Sequence, residues 1–516
     1  MTRFLSIGAL LMVLVTACAP APPPPTPAAP APSERRAADQ AIRIGRLSLP
    51  PSMSPESSFN EFFNPLYDTL TVLGPKFTVL PAAAEKWAYI DDAWHFTIRQ
   101  DLTFWNGEKV TADDVVFSAN LVAQTAHPSK LNLPLMTGAK KIDDRTVAIS
   151  SKTRDGMLVQ GAHGIYIFPK AYYERVGKDE FGAKPLGTGP FEPVSYDVNS
   201  GAVFRQRATP HPFRKVTATE LQYKVIPDIS QQVVGLRVGE LDLITLTAFT
   251  AEQVQQMKNA GLQLILSEEA SINAALFSQP EAELRNSPLR DRRVRQALNY
   301  AVDKDAIVAA LFKDLAVPAT QFTVPGTPSW DETNKGYPYN PARAKQLLTE
   351  AGYPNGFKLP MGIGFTAATI PAGIPTIIQD GLRGVGVEAA VNSYEYGFLL
   401  DKYYGRNNQQ KDDLFMQSSG DANGTFSVTR GLYTCEKEGP ARWWCTPEFD
   451  RLWIQASQEI DESKRHALLK QAAKVLHDDV PALWLIQRHS VTAFRPNLRV
   501  ETRPTARIYD TAYRVE

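Results

Sequence analysis

Three cysteines are the only thiols in the chain, and their neighbours assign them two kinds of chemistry. Cys18 ends the run Val15-Thr16-Ala17-Cys18, behind Arg3 and an apolar stretch from Phe4 to Val15. A single basic residue, a short apolar segment and small residues before the cut describe a secretory leader too short to span a bilayer, with the Cys of a bacterial lipoprotein signal at its end. The expected leader is residues 1–17, and the expected mature chain begins at Cys18, whose thiol becomes a thioether to diacylglycerol. An ordinary leader whose Cys falls at the cut is the alternative. Cys435 and Cys445 remain as a pair. In the oxidising compartment that a leader implies, a disulfide across so short a loop stabilises by about 3 kcal/mol on the chain-entropy model. A metal site is the rival, but the seven histidines are scattered, with no Cys-x-x-Cys and no His pair at ligand spacing.

Motifs that carry catalysis are missing. There is no Gly-x-Ser-x-Gly elbow, no His-Glu-x-x-His, no phosphate loop and no dinucleotide fingerprint. Gly187-Thr188-Gly189-Pro190-Phe191 is glycine-rich, but Pro190 lacks the amide that would face an anion, so a structural turn is expected. Asp113-Asp114 and Asp412-Asp413 are adjacent carboxylates, one pair at a helix start and one in a polar loop, where capping or solvation accounts for them. No metal or cofactor is called for, and the chain is expected not to be an enzyme. A catalytic set scattered along the sequence is the remaining route to a secreted hydrolase.

Composition limits the partners. Basic and acidic residues balance at 55 each, and loss of Arg3 with the leader leaves a net charge of about −1, which offers no handle for nucleic acid or anionic lipid. After the leader no apolar run is long enough to cross a bilayer, so a lipid on Cys18 would be the only membrane attachment. Residues 18–40 form a linker of mostly proline and alanine that can bury no core; as polyproline II, at about 3.1 Å per residue, its Pro/Ala stretch reaches roughly 45 Å. Folding is expected from Ala41.

The elements that must position any site follow from periodicity. Residues 42–49 alternate as a half-buried strand stopped by Pro50-Pro51, and 94–99 alternate again before a turn at Trp105-Asn106-Gly107-Glu108. Thr111 caps a helix whose apolar face begins at Val115, Val116 and Ala119. Asp291 to Phe312 reads as a helix or helix pair with Val294, Ala297, Leu298, Ala301 and Val302 on one face, and with Arg292, Arg293 and Arg295 on a solvated one. Asn340-Pro341 opens a helix that Gly352 ends. Strands at 357–363 and 388–394 flank a helix at 376–383, which implies an α/β unit. A last helix at 462–477 precedes a strand at 482–486.

The blocks Asn64-Pro65-Leu66-Tyr67-Asp68-Thr69-Leu70, Leu80 to Trp87, Trp94 to Arg99, Phe104-Trp105-Asn106-Gly107, Thr111 to Val116, Gly187 to Phe191, Pro288 to Ala297 and Asn340 to Phe357 follow one another along the chain. Taken together, they resemble the extracytoplasmic solute-binding proteins of ABC importers, family 5, the oligopeptide, dipeptide and nickel binding type. The resemblance implies an α/β, two-lobe periplasmic-binding-protein fold (class II, cluster C type) with an extra subdomain in the first lobe. Lobe I is then 41–75 with 195–276 and 493–516, the extra subdomain 76–194 and lobe II 277–492, with strand crossovers near Ala274–Gln279 and Ser490–Arg495. A small solute is enclosed by hinge closure and passed to an ABC permease with its ATPase subunits. The protein is expected to be a lipid-anchored, extracytoplasmic monomer, in the periplasm or at the cell surface.

Peptide-binding relatives hold the ligand's α-amine with an Asp, and Asp421, after Gly420, stands where that residue belongs. A turn role beside Gly420 is its alternative. The pattern departs at Ser418, where relatives commonly carry Trp, and near Gly424-Thr425, where an Asp-Pro is missing. Tyr394 and Tyr396 lead toward the cleft, and Trp443-Trp444 lie inside the cysteine loop; flat rings there stack on a solute or pack a core. Arg430 pairs with a ligand carboxylate or lies in solvent. A peptide-like solute is the first expectation, with an oligosaccharide, an opine-like compound, a metal chelate or a non-transport sensor role as alternatives.

Overall fold

Ile42 and Ile44 are buried on either side of Arg43, so the first strand, β1 (Ala41–Arg46), sinks one face into a core, as period-two patterning requires. This computed structural model describes residues 41–58, 61–246, 249–277, 287–359, 363–365, 370–371, 373–395, 398, 414–420, 435, 444–500 and 514–515. The leader, Cys18 and the linker lie outside the described residues.

A separate four-stranded sheet holds the early part of the chain. It comprises β2 (Ala84–Ile90), β3 (Ala93–Ile98), β4 (Met136–Lys141) and β5 (Thr146–Ser151) in the order β2-β3-β5-β4. Helix α1 (Ala112–Gln124) packs Val115, Ala119 and Val122 into the same core as Phe96, Val147 and Ile149. Its start is as expected. Thr111 Oγ1 accepts from the Asp114 amide at 3.3 Å, and the Asp114 carboxylate accepts from the Thr111 amide at 2.9 Å, which completes a capping box. Gly107 in the preceding turn has φ 87°, where a side chain would be strained.

The large sheet carries the two lobes. Its first group is β1, β6 (Phe191–Asp197), β7 (Gly201–Gln206), β8 (Glu220–Val225) and β9 (Leu243–Leu246), covered by α2 (Ile229–Val238) and α3 (Ala251–Asn259). Strand β1 runs parallel to both β8 and β9, the arrangement that helical crossovers produce. Two long strands follow in the order, β10 (Gln263–Phe277) and, near the end of the chain, β15 (Ala482–Phe494). The second group is β11 (Ala316–Pro318), β12 (Ile363–Phe365), β13 (Val391–Ser393) and β14 (Leu414–Gly420). The path is β13-β12-β14-β10-β15-β9-β1-β8-β7-β6, with β11 paired to β15, eleven strands in all. The expected boundary at 194/195 falls within β6, which belongs to the large sheet.

Helices of the second lobe cover a core that also takes in Leu236 and Val254 from the first lobe's helices. Those of the second lobe are α4 (Arg292–Ala301), α5 (Pro341–Glu350), α6 (Gly373–Gly384), α7 (Pro447–Gln458) and α8 (Glu462–Asp479). Helix α5 starts with Asn340 Oδ1 accepting from the Arg343 amide at 2.9 Å, and Gly352 beyond its end takes φ 93°. Of the helix or helix pair expected over 291–312 the pair is found: α4 stops at Ala301, Val302 is extended, and Asp303 caps a new short turn that a π-helical turn over Val308–Phe312 continues. Two expectations change here. The strand expected over 357–363 divides into Phe357–Lys358 and Ile363–Phe365. Arg295, expected on a solvated face, is buried. Its position on α4 faces the end of α8, whose carbonyls and Asp479 receive the guanidinium. No described helix is long and apolar enough to cross a membrane.

Candidate functional site

Strands β10 and β15 run through both groups, and their register locates the change from one lobe to the other. Gln263 to Glu268 pair with Phe494 to His489, beside the β9 pairing of Leu243–Leu246 with Phe494–Val491. Ile272 to Leu276 pair with Gln487 to Ala482, beside β14 on one side and β11 on the other. Between Glu268 and Ile272 the ladder is irregular. A break in pairing is where a strand pair bends most readily. It lies just before 274–279 on β10 and just before 490–495 on β15.

Each side of that break is anchored by buried polar groups that the sequence reading did not single out. On the first-lobe side Arg43 Nε and Nη2 donate to the Asp242 carboxylate at 2.7 and 2.8 Å, and Arg495 Nη1 donates to Oδ1 at 2.9 Å. Burial alone would raise the Asp242 carboxyl, but these donors outweigh it and hold it below the usual range. Strand β1, the entry to β9 and the exit of β15 are thus tied together. On the second-lobe side Asn299 of α4 donates to Ala482 O at 3.0 Å and accepts from the Trp484 amide at 3.3 Å. The strands are fixed at both ends and broken in the middle.

The family block around Asp68 is a second such anchor. Asp68 receives His211 Nε2 and Arg214 Nη1, each at 2.9 Å, with both side chains buried. Desolvation works to raise its carboxyl, and the two neighbours more than reverse that, so it stays ionised far below the ordinary carboxylate range. The glycine-rich turn is structural, as expected. Thr188 Oγ1 accepts from the Asp68 amide at 2.8 Å, and a Cβ at Gly187 or Gly189 would overlap the carbonyl of Leu66 or Pro65.

The expected site residues divide as follows. Asp421, Tyr396, Trp443 and Arg430 lie outside the described residues. Gly420 ends β14 opposite Ser271, at the irregular segment of β10. Tyr394 directly follows β13, donates its amide to Phe365 O at 2.8 Å, and sets its half-buried ring 5.5 Å from Phe398. Trp444 is in the second lobe's core: it is buried, its indole N–H donates to Asp479 Oδ2 at 2.7 Å, and the Arg295 guanidinium lies 4.3 Å above its ring. That packing is the plainer of its two expected roles, and it leaves the ring no free face of the kind a stacking platform needs. Cys435 and Cys445 form a disulfide beside it. Among the described residues, no three or more His, Cys, Asp or Glu gather as metal ligands.

Comparison with known proteins agrees with this architecture. Residues 78–439 match the bacterial extracellular solute-binding proteins, family 5 Middle. Heme-binding protein A of Haemophilus influenzae is 28% identical over 468 residues, which cover 84% of this chain and 83% of that protein. The dipeptide-binding protein of Escherichia coli is 29% identical over 471 residues, 84% of this chain and 85% of its own. Among solved structures, HbpA2 from Haemophilus parasuis superposes with a TM-score of 0.78 at 22% identity, over 91% of this chain and 98% of that one. With the family pattern spanning most of the folded body and the fold agreeing, the chain belongs to family 5 of the bacterial extracellular solute-binding proteins, the binding components of ABC importers.

Proposed function

We propose that this protein captures a peptide or peptide-like solute between its two lobes by bending at the β10/β15 break, and presents the closed form to an ABC permease. The observation that carries the reading is the register of β14. Gly420, immediately before Asp421, pairs with Ser271 at the irregular crossing, so the segment that holds the amine-binding Asp of peptide-binding relatives follows directly on a strand paired with the one that joins the lobes. Contacts from both lobes to one guest supply the differential affinity that shifts an open form to a closed one. The lobe assignment that goes with it is 41–75, 195–276 and 493–516 against 277–492, with 76–194 as the extra subdomain, except that β6 (Phe191–Asp197) goes whole with the first lobe. Lipid attachment through Cys18, a monomeric state and binding without turnover complete the proposal.

Native mass spectrometry of the leaderless protein, as purified, tests it by naming the cargo. A peptide is the expected cargo, and Asp421→Ala is expected to weaken its binding by about two to three decades, the penalty of leaving one partner of a buried ion pair. Unchanged affinity in that variant, or a cargo without an amine, overturns the peptide assignment. One finding favours a second reading: the similarity to heme-binding protein A of Haemophilus influenzae makes an iron porphyrin the metal chelate to include beside peptides.

A further inference from the structure

The extra subdomain and the second lobe meet outside the β10/β15 crossing, and the meeting is specific. The Gly156 amide donates to Ser457 O, at the end of α7, at 2.6 Å. All three of the nearest atoms that a Cβ at 156 would meet belong to the second lobe, the Glu459 carbonyl, which it would overlap, and Arg465 Nη1 at 3.2 Å. Arg465 Nη1 in turn donates to Glu459 O and Ile460 O at 3.0 Å each, which fixes the corner between α7 and α8 that faces Gly156.

The two bodies also exchange apolar residues. Met157, from the subdomain, is buried in the core that the second lobe shares with the first, Trp453 of α7 included. Ile460, from the α7–α8 corner, packs on the subdomain's own core. A small cavity of about 10 Å³ is lined by Met157 and Leu158 from the one and by Trp453 and Ser457 from the other. Beside this tight patch the seam opens into a cavity of about 360 Å³ lined by Lys76, Trp87, Trp94, Glu462, Arg465 and His466. The contact is therefore close in fit at Gly156 and open beside it, which suits a surface that parts and re-forms.

We infer that the Asp155–Met157 turn and the Ser457–Ile460 corner form a latch that holds the lobes closed, with Gly156 as the positioning residue that admits the corner. The inference rests on the hinge-closure reading above and adds to it a contact that touches no solute. A contact made only in the closed arrangement shifts the population toward it and raises apparent affinity by the same factor. Glycine is required at 156 because any side chain there fills the space that the Glu459 carbonyl occupies when the seam is shut.

Spin labels at Thr137→Cys and Lys470→Cys, one on each side of the seam, report the opening by pulsed electron resonance. The protein is measured as purified with its cargo and again after refolding without it. Expected is a short-distance population in the cargo-bound protein that falls about tenfold in Gly156→Ala and in Ile460→Ser, with dissociation of the cargo faster by a similar factor. Thermal melting of the subdomain and the second lobe within about 2 °C of the parent excludes simple misfolding. An equal short-distance population in both variants overturns the latch while closure stands. A single distance in the parent, with and without cargo, overturns closure and the latch together. A gain in the short-distance population would also overturn it, by showing that the contact favours the open form.

Discussion

Arg295 and Asp479 are paired at 2.8 Å between Nη2 and Oδ1, beneath the indole of Trp444. The pair closes a junction of three segments far apart in sequence. The Asp479 carboxylate also accepts from Trp444 Nε1 and Thr446 Oγ1, both at 2.7 Å, while Arg295 reaches the carbonyls of Leu289 and Val480. The start of α4, the end of α8 and the segment from Trp444 to Thr446 are held as one unit.

Removing the cation takes a donor from those carbonyls and leaves the carboxylate without its countercharge. Arg295→Met is expected to destabilise the protein by about 3 kcal/mol, at the lower end for a broken buried pair because the Asp479 side chain keeps some exposure. Urea denaturation followed at the second lobe's tryptophans checks this. A loss below the error of the fit would show that the pair contributes little.

The disulfide spans ten positions from Cys435 to Cys445. Replacing both by serine frees the unfolded loop and is expected to lower stability by about 3 kcal/mol on the chain-entropy model. Calorimetry of the double variant beside the oxidised parent gives the value, and reductant added to the parent should reproduce it.

Acid should attack the first lobe through Asp68. Its carboxyl is depressed in the folded state, so the unfolded chain binds more protons once the pH falls below about 4; the stability it contributes is complete above that value and drains away as the pH drops further. In Asp68→Asn the acid limb of a stability–pH curve is expected to flatten, with about 3 kcal/mol lost at pH 7 because His211 and Arg214 stay buried and lose the carboxylate's charge. An unchanged acid limb would assign the sensitivity to other carboxylates.

Lys304 runs the other way. Its ammonium is buried, with Tyr337 O at 3.1 Å as its acceptor, and desolvation pushes its pKa down to about 7. The unfolded chain keeps its proton up to about pH 10.4, so the group's contribution grows more favourable as pH rises from about 7 to about 10. Lys304→Met is therefore expected to raise the melting temperature at pH 6 and to lose that advantage progressively by pH 10. A constant difference across the range would show that Lys304 does not titrate there.

Much of the architecture was legible locally. The capping box at Thr111 and Asp114, the Asn340 cap with Gly352, and the tight turn at Gly187 each rest on residues close in sequence whose side-chain chemistry admits few backbone conformations. The ordered blocks from Asn64 to Phe357 were enough to reveal the family and with it the two-lobe fold. Arg295 misled because it is flanked by Arg292 and Arg293, which are exposed. Helical position alone does not say which of three neighbouring guanidiniums will face a carboxylate more than a hundred residues away.

Composition, periodicity and motif order were sufficient for the compartment expected of the chain, its fold class and its membership of a binding family, since each depends on local preference or on patterns readable along one dimension. The tertiary structure decided what depends on distance in space. It set the break in the ladder at Glu268–Ile272, the burial of Trp444 under Arg295, and the meeting of Gly156 with Ser457 and Glu459. Those contacts join residues more than a hundred positions apart, and their energies arise from desolvation and steric fit that exist only once the chain has folded.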